Sequence, residues 1–132
     1  MITLTMRWLF FGVVGYVGVY DLNIMYSTGD IPDSWGGTSF LERVIGRDEK
    51  MLDEFSPVTH ASKITAAPML IHGEDDIRAP IDHAFAMREA LQDVGSAPVW
   101  LKIDESGHGA GNIKTRLELY ESLLAFLEGH LR

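Results

Sequence analysis

The sequence predicts an α/β domain with a mostly parallel sheet, layered as helix, sheet, helix. Two observations carry this prediction. From residue 68 onward, short apolar runs alternate with helical periodicity in the order strand, helix, strand, helix, the pattern of a βαβ unit with a further helix. Near the start, the run WLFFGVVGYVGVY from Trp8 to Tyr20 is apolar throughout. Its second half is rich in Val, Tyr and Gly, as in a central parallel strand covered on both faces. A length of 132 residues fits a single domain, 1–132, and suffices to bury a core.

The elements follow in order. Trp8 to Tyr20 reads as a buried strand and not as a membrane span or signal core. It has 13 residues, where a bilayer requires about 20, and no small-residue cleavage pattern precedes Asp21. Residues 21 to 39, DLNIMYSTGDIPDSWGGTS, are rich in Gly, Asp, Ser and Pro and read as a long irregular loop, a kind that is usually functional or mobile. Phe40 to Phe55 is helical in pattern, with Gly46 splitting it in two. Ser56-Pro57 fits an N-cap followed by proline at the first helical position. Pro68 to His72 is a short apolar strand. Pro80 to Val94 is an amphipathic helix with Ala84, Met87 and Leu91 on one face and Gly95 as its stop. Pro98 to Ile103 is another strand, and Glu105 to Asn112, ESGHGAGN, a glycine-rich loop. Ile113 to Leu131 is a helix capped by Asn112, with Leu117, Leu124, Leu127 and Leu131 at helical spacing.

Composition excludes several functions. Nineteen acids against 11 bases give a net charge of −8, and no basic cluster offers the positive face that nucleic acid requires. No cysteine is present, which removes disulfides, thiolate metal sites and a cysteine nucleophile. For a soluble chain, this does not choose between cytoplasm and periplasm.

The topology brings distant residues together. In a parallel sheet, every loop that follows a strand leaves at the same edge, where open α/β sheets bind ligands. The loop HGEDDIRAP, with Glu74, Asp75 and Asp76, follows one strand, and the loop holding His108 follows the next. A carboxylate at the Nδ1 of His108 would fix its tautomer and steady the imidazolium, which is the acid–base half of a nucleophile triad. Asp precedes His by one helix and one strand, which suits the chain order Ser, Asp, His. Glu74 and Asp75 read as a solvated turn. His72 reads as structural, and His60, His83 and His130 as surface residues. Three acids near His72 and His83 match no metal-ligand spacing, and no cofactor is implied.

The pattern His72-Gly73-x-x-Asp76-x-x-Ala79-Pro80, followed by Gly107-His108-Gly109 before a final helix, resembles the catalytic domain of the prolyl oligopeptidase family. So do GYVGVYDL at residues 15 to 22 and FSPVTHASKI at 55 to 64. The resemblance implies a serine peptidase with an α/β-hydrolase fold, here partial, and short peptides as substrates. It implies Asp76 as triad acid and His108 as triad base. Ala79 stands where the family has valine, which would trim one side of a pocket, and Trp35 could line that pocket or pack its loop.

The family's G-x-S-x-G-G nucleophile segment has no counterpart, and residues 1 to 13 do not look like the family. Ser27 follows the wrong strand and enters a loop with Ile31-Pro32, whereas a nucleophile elbow needs strand, sharp turn and helix. Ser106 lies at the right edge but has no elbow. The expectation is the C-terminal part of a longer domain, partnered by its upstream half or by another copy that covers an exposed sheet edge. The alternatives are a non-catalytic hydrolase-like module and an esterase-type fragment.

Overall fold

The computed structural model describes residues 11–131. Strands β1 (Gly12–Tyr16), β2 (Ala67–Gly73) and β3 (Val99–Ile103) form one parallel sheet in the order β1-β2-β3. Central β2 is buried on both faces, as its continuous apolar run requires. Its side chains alternate. Met69 and Ile71 pack with Ile103, Leu119 and Phe126 on one face, under helix α5 (Ile113–His130). Leu70 packs with Tyr20, Ala84, Met87 and Leu91 on the other, under helix α4 (Asp82–Asp93) and the 3-10 segment Pro57–Lys63. The expected three layers are present.

β1 departs from its expected place. It lies at the sheet edge, Val13 and Tyr16 remain exposed, and the chain leaves the strand at Val17. A strand is covered on both sides only where it has two neighbours, and β1 has one among the described residues. Val17 adopts φ +47°, a left-handed conformation that strains a β-branched residue. Its N–H donates to Ile71 O at 3.0 Å, which fastens the turn to β2. The part of the expected strand from Trp8 to Phe10 lies outside the described residues.

The long loop at 21 to 39 is partly helical. It holds a 3-10 turn at Ile24–Tyr26 and a short helix α1 (Asp30–Asp33), and helix α2 (Gly37–Val44) begins inside it. Gly46, at φ +75°, separates α2 from helix α3 (Glu49–Phe55), which Asp48 caps through Met51 N at 2.9 Å. Ser56 holds the N-cap place before Pro57, yet its hydroxyl makes no cap bond. It donates to Leu52 O at 2.7 Å and accepts from Leu22 N at 2.8 Å, so it ties α3 to the loop after β1.

α4 stops as its sequence indicates. Gly95 is left-handed and the N–H of Ser96 returns to Leu91 O at 2.8 Å. Asn112 and Thr115 form a reciprocal capping box at the start of α5. Of the leucines whose spacing signalled α5, Leu127 alone packs against the core. Thr115, Leu119 and Phe126 are buried, whereas Leu117, Leu124 and Leu131 are more than half exposed. α5 is apolar on two sides, so periodicity alone does not choose between them. β1 chooses: the absent side chain of Gly12 leaves the space that the Phe126 ring fills.

Candidate active site

Asp76 sits in the loop after β2 with its carboxylate withdrawn from solvent. Oδ1 accepts the N–H groups of Arg78 and Ala79, each at 2.9 Å, in the self-bonded turn that aspartate favours. Oδ2 faces His108 Nδ1 at 2.9 Å. An ionised carboxylate can only accept, so Nδ1 carries the proton and donates it. His108 stands in the loop after β3 with its side chain about half exposed (49%). Its Nε2 has no hydrogen-bond partner among the described residues. The structure thus brings together the acid and the histidine singled out in the sequence.

Both loops are held rigidly. The N–H of Glu74 donates to Ile103 O and that of Asp75 to Ser106 O, each at 2.9 Å. Gly73 lies against the carbonyls of Ser106 and Gly107 so closely that a Cβ would fall inside 3.0 Å of both. Only glycine lets the two loops touch there. On the far side, Ala110 N donates to the Tyr16 hydroxyl at 2.9 Å, which ties the end of β1 to the His108 loop. Nothing in the sequence signals this contact, which spans 94 positions.

His72 is structural, as its strand-end position suggests. It is fully buried, its Nε2 donates to Ala79 O at 2.7 Å, and the same nitrogen lies 3.5 Å from Asp76 Oδ2. His83 differs from the surface expectation. It is fully buried on α4, and its Nδ1 accepts from the N–H groups of Tyr20 and Asp21 at 3.4 Å. Burial holds its pKa below the usual histidine value and outweighs the opposing pull of Asp21. Its spacing of four from Met87, itself four before Leu91, was the overlooked signal.

Other candidates fall away from this pair. Ala79 is buried and serves through its backbone, which holds Asp76 and His72, where a pocket wall was expected. Trp35 is fully exposed beside a cavity of about 760 Å³ with Ser39, Glu42 and Arg43, which neither Asp76 nor His108 lines. Asp76 does border a cavity of about 470 Å³, formed with Thr28, Gly29, Asp30, Ile77 and Pro80. Glu74 pairs with Lys102 at 2.7 Å, and Asp104 and Glu74 together raise the Lys102 pKa well above its usual value. Asp75 is exposed.

Ser27 Oγ donates to Ile24 O within its 3-10 turn, and Ser106 Oγ donates to Gly109 O within the His108 loop. Neither forms an elbow. Among the described residues no cluster of metal-ligating side chains is present, and no helix is long and apolar enough to cross a membrane.

The sequence model of the prolyl oligopeptidase family matches residues 1–132, a span that includes residues 1 to 13, where the motifs gave no resemblance. Acylamino-acid-releasing enzyme 1 of Oryza sativa subsp. japonica is 23% identical over 122 residues, which cover 86% of this chain and 16% of the relative. The Pyrococcus horikoshii acylaminoacyl peptidase structure superposes with a TM-score of 0.83 at 26% identity, covering 98% of this chain and 22% of that one. A Mycobacterium tuberculosis puromycin-hydrolyzing peptidase gives 0.81 at 24% identity, over 97% and 19% of the two chains, and speaks for the fold alone. This chain therefore spans about a fifth of the length of the proteins it resembles.

Proposed function

This chain belongs to the prolyl oligopeptidase family of serine peptidases, and from that premise we propose that it carries the base and the acid of a Ser-His-Asp triad. The contact between Asp76 Oδ2 and His108 Nδ1 at 2.9 Å supports this reading best. Asp76 orients the imidazole and stabilises its protonated form. His108 Nε2 takes the proton of a serine hydroxyl as that oxygen bonds to the scissile carbonyl carbon. It then gives the proton to the leaving amine as the C–N bond breaks. Water repeats the cycle to release the acyl group and restore the serine.

The serine in this reading comes from outside the described residues. No serine occurs in residues 1 to 26, and no serine hydroxyl among the described residues bonds His108. A polypeptide with the family's G-x-S-x-G-G segment, joined to this chain or docked on it, would complete the site. Short peptides are the proposed substrates.

A fluorophosphonate, which labels activated serines, tests the proposal. The chain alone should remain unlabelled. The chain mixed with such a segment should acquire a labelled serine on the added piece, and His108→Ala should abolish it. Labelling of the chain alone would reveal a nucleophile within it. Equal labelling with His108→Ala would remove His108 from the role of base.

A further inference from the structure

We propose that His83 and His72 form a buried, hydrogen-bonded pair that positions Asp76 for His108, an inference whose catalytic meaning rests on the peptidase reading. Two observations carry it: where the two rings lie, and which nitrogens they leave free. Both side chains are fully buried. His72 shares a face of β2 with Leu70, which packs with Met87 of α4. His83 lies one turn before Met87 on the same helix. α4 returns between two parallel strands, so its start lies at the end of β2. Both histidines are thus displaced in the same direction from one contact. Adjacent carbonyls anchor them. Ala79 O accepts from His72 Nε2 at 2.7 Å, and Pro80 O accepts from the His83 backbone N–H at 3.0 Å.

The free nitrogens are complementary. A carbonyl can only accept, so His72 Nε2 carries the proton, and in the neutral ring Nδ1 is a bare acceptor. His83 Nδ1 accepts from the N–H groups of Tyr20 and Asp21, so its proton sits on Nε2. Burial favours this uncharged ring. His72 Nδ1 and His83 Nε2 are both buried without a partner among the described residues, one an acceptor and the other a donor. Leaving both unpaired is costly. One group that accepts from His83 and donates to His72, as a buried water does, satisfies the two together. The chain of contacts then runs from the backbone of Tyr20 and Asp21 through His83 to His72. From there it reaches Ala79 O and, at 3.5 Å from His72 Nε2, Asp76 Oδ2. That oxygen is the one that holds His108. His83 and His72 are therefore positioning residues: the first fixes the tautomer of the second, and the second aims the acid.

The ¹⁵N-histidine spectra of the full chain provide the test. In the unaltered chain, His72 Nδ1 should resonate as a hydrogen-bonded acceptor, and the Nε2 protons of both rings should exchange slowly. A free-acceptor shift at His72 Nδ1 overturns the pair without recourse to any variant. His83→Leu removes the donor. It should mix the tautomers of His72 and speed exchange of the His108 Nδ1 proton by about fivefold, the worth of one hydrogen bond. His83→Gln can accept from the two amides and donate onward, so it should restore both signals. Equal signals in the Leu and Gln variants overturn the positioning role in favour of packing alone. A His72 tautomer that shifts while the His108 proton stays unchanged overturns the reach to the acid. Serine labelling of the completed enzyme is a separate readout. No labelling in any variant, with the histidine signals as expected, sinks the peptidase reading and leaves the pair in place.

Discussion

Replacing Gly73 by alanine should separate the acid from the base. A Cβ there would meet the carbonyls of Ser106 and Gly107 inside 3.0 Å, and both are backbone groups that no rotamer change can remove. Ordinary contact begins near 3.4 Å. One loop must therefore retreat by about 1 Å. The bond from His108 Nδ1 to Asp76 Oδ2 starts at 2.9 Å, so a shift of that size carries it past the limit of a hydrogen bond. The crowding should cost about 1–3 kcal/mol of stability. In an enzyme completed with its serine segment, a misplacement of about 1 Å should lower kcat/KM by about 100-fold.

Two measurements check this. In ¹⁵N-histidine spectra of the chain, the His108 Nδ1 proton should be slow to exchange in the parent and lost in Gly73→Ala. In the completed enzyme, serine labelling should slow in parallel. A variant that folds, keeps that proton and labels within about threefold of the parent would refute the claim that this contact sets the pair's geometry.

Three further outcomes are expected. Asp76→Asn removes the acceptor that fixes the His108 tautomer, and should lower kcat of the completed enzyme by about 10⁴-fold with little change in KM. Phe126→Ala should cost about 3–5 kcal/mol in urea unfolding, whereas Leu117→Ala should cost under about 1 kcal/mol at concentrations where the chain is monomeric, since only the first side chain is buried. His83 provides a pH signature. Its folded pKa is depressed, so below the unfolded value of about 6.5 the unfolded chain binds the proton first, and stability falls as pH falls. The slope is at most about 1.4 kcal/mol per pH unit. His83→Gln should remove this component from unfolding curves measured between pH 5 and 8, and an unchanged slope would contradict it.

Much of this architecture was legible because its signals are local. β2 announces itself as an apolar run between Pro68 and Gly73, α4 by Ala84, Met87, Leu91 and Gly95, and α5 by its Asn112 cap. Parallel topology placed the loops of Asp76 and His108 at one sheet edge, and the family resemblance singled out Asp76 among its neighbouring acids. What was not legible depended on partners. β1 has the composition of a covered strand but lies at an edge among the described residues. His83 looks like a polar surface residue until the backbone of Tyr20 and Asp21 is found at its Nδ1. The buried face of α5 is set by the space at Gly12, which no periodicity within α5 contains. Trp35 and Ala79 were associated with a pocket by residue type and motif, and only coordinates separate a free indole from a backbone scaffold.

The Tyr16 tether has a consequence for the order of folding. Asp76 and His108 lie 32 positions apart, within the stretch that runs from β2 to the loop after β3. The hydroxyl of Tyr16 and the N–H of Ala110 are 94 positions apart. Loop-closure entropy grows with the logarithm of that separation, so the longer closure costs about 1 kcal/mol more. The acid–base pair can therefore form early, from chain that is nearly adjacent. The clamp on its base can close only after β1 has found β2. Between those events His108 would already face Asp76 on a loop still free to swing.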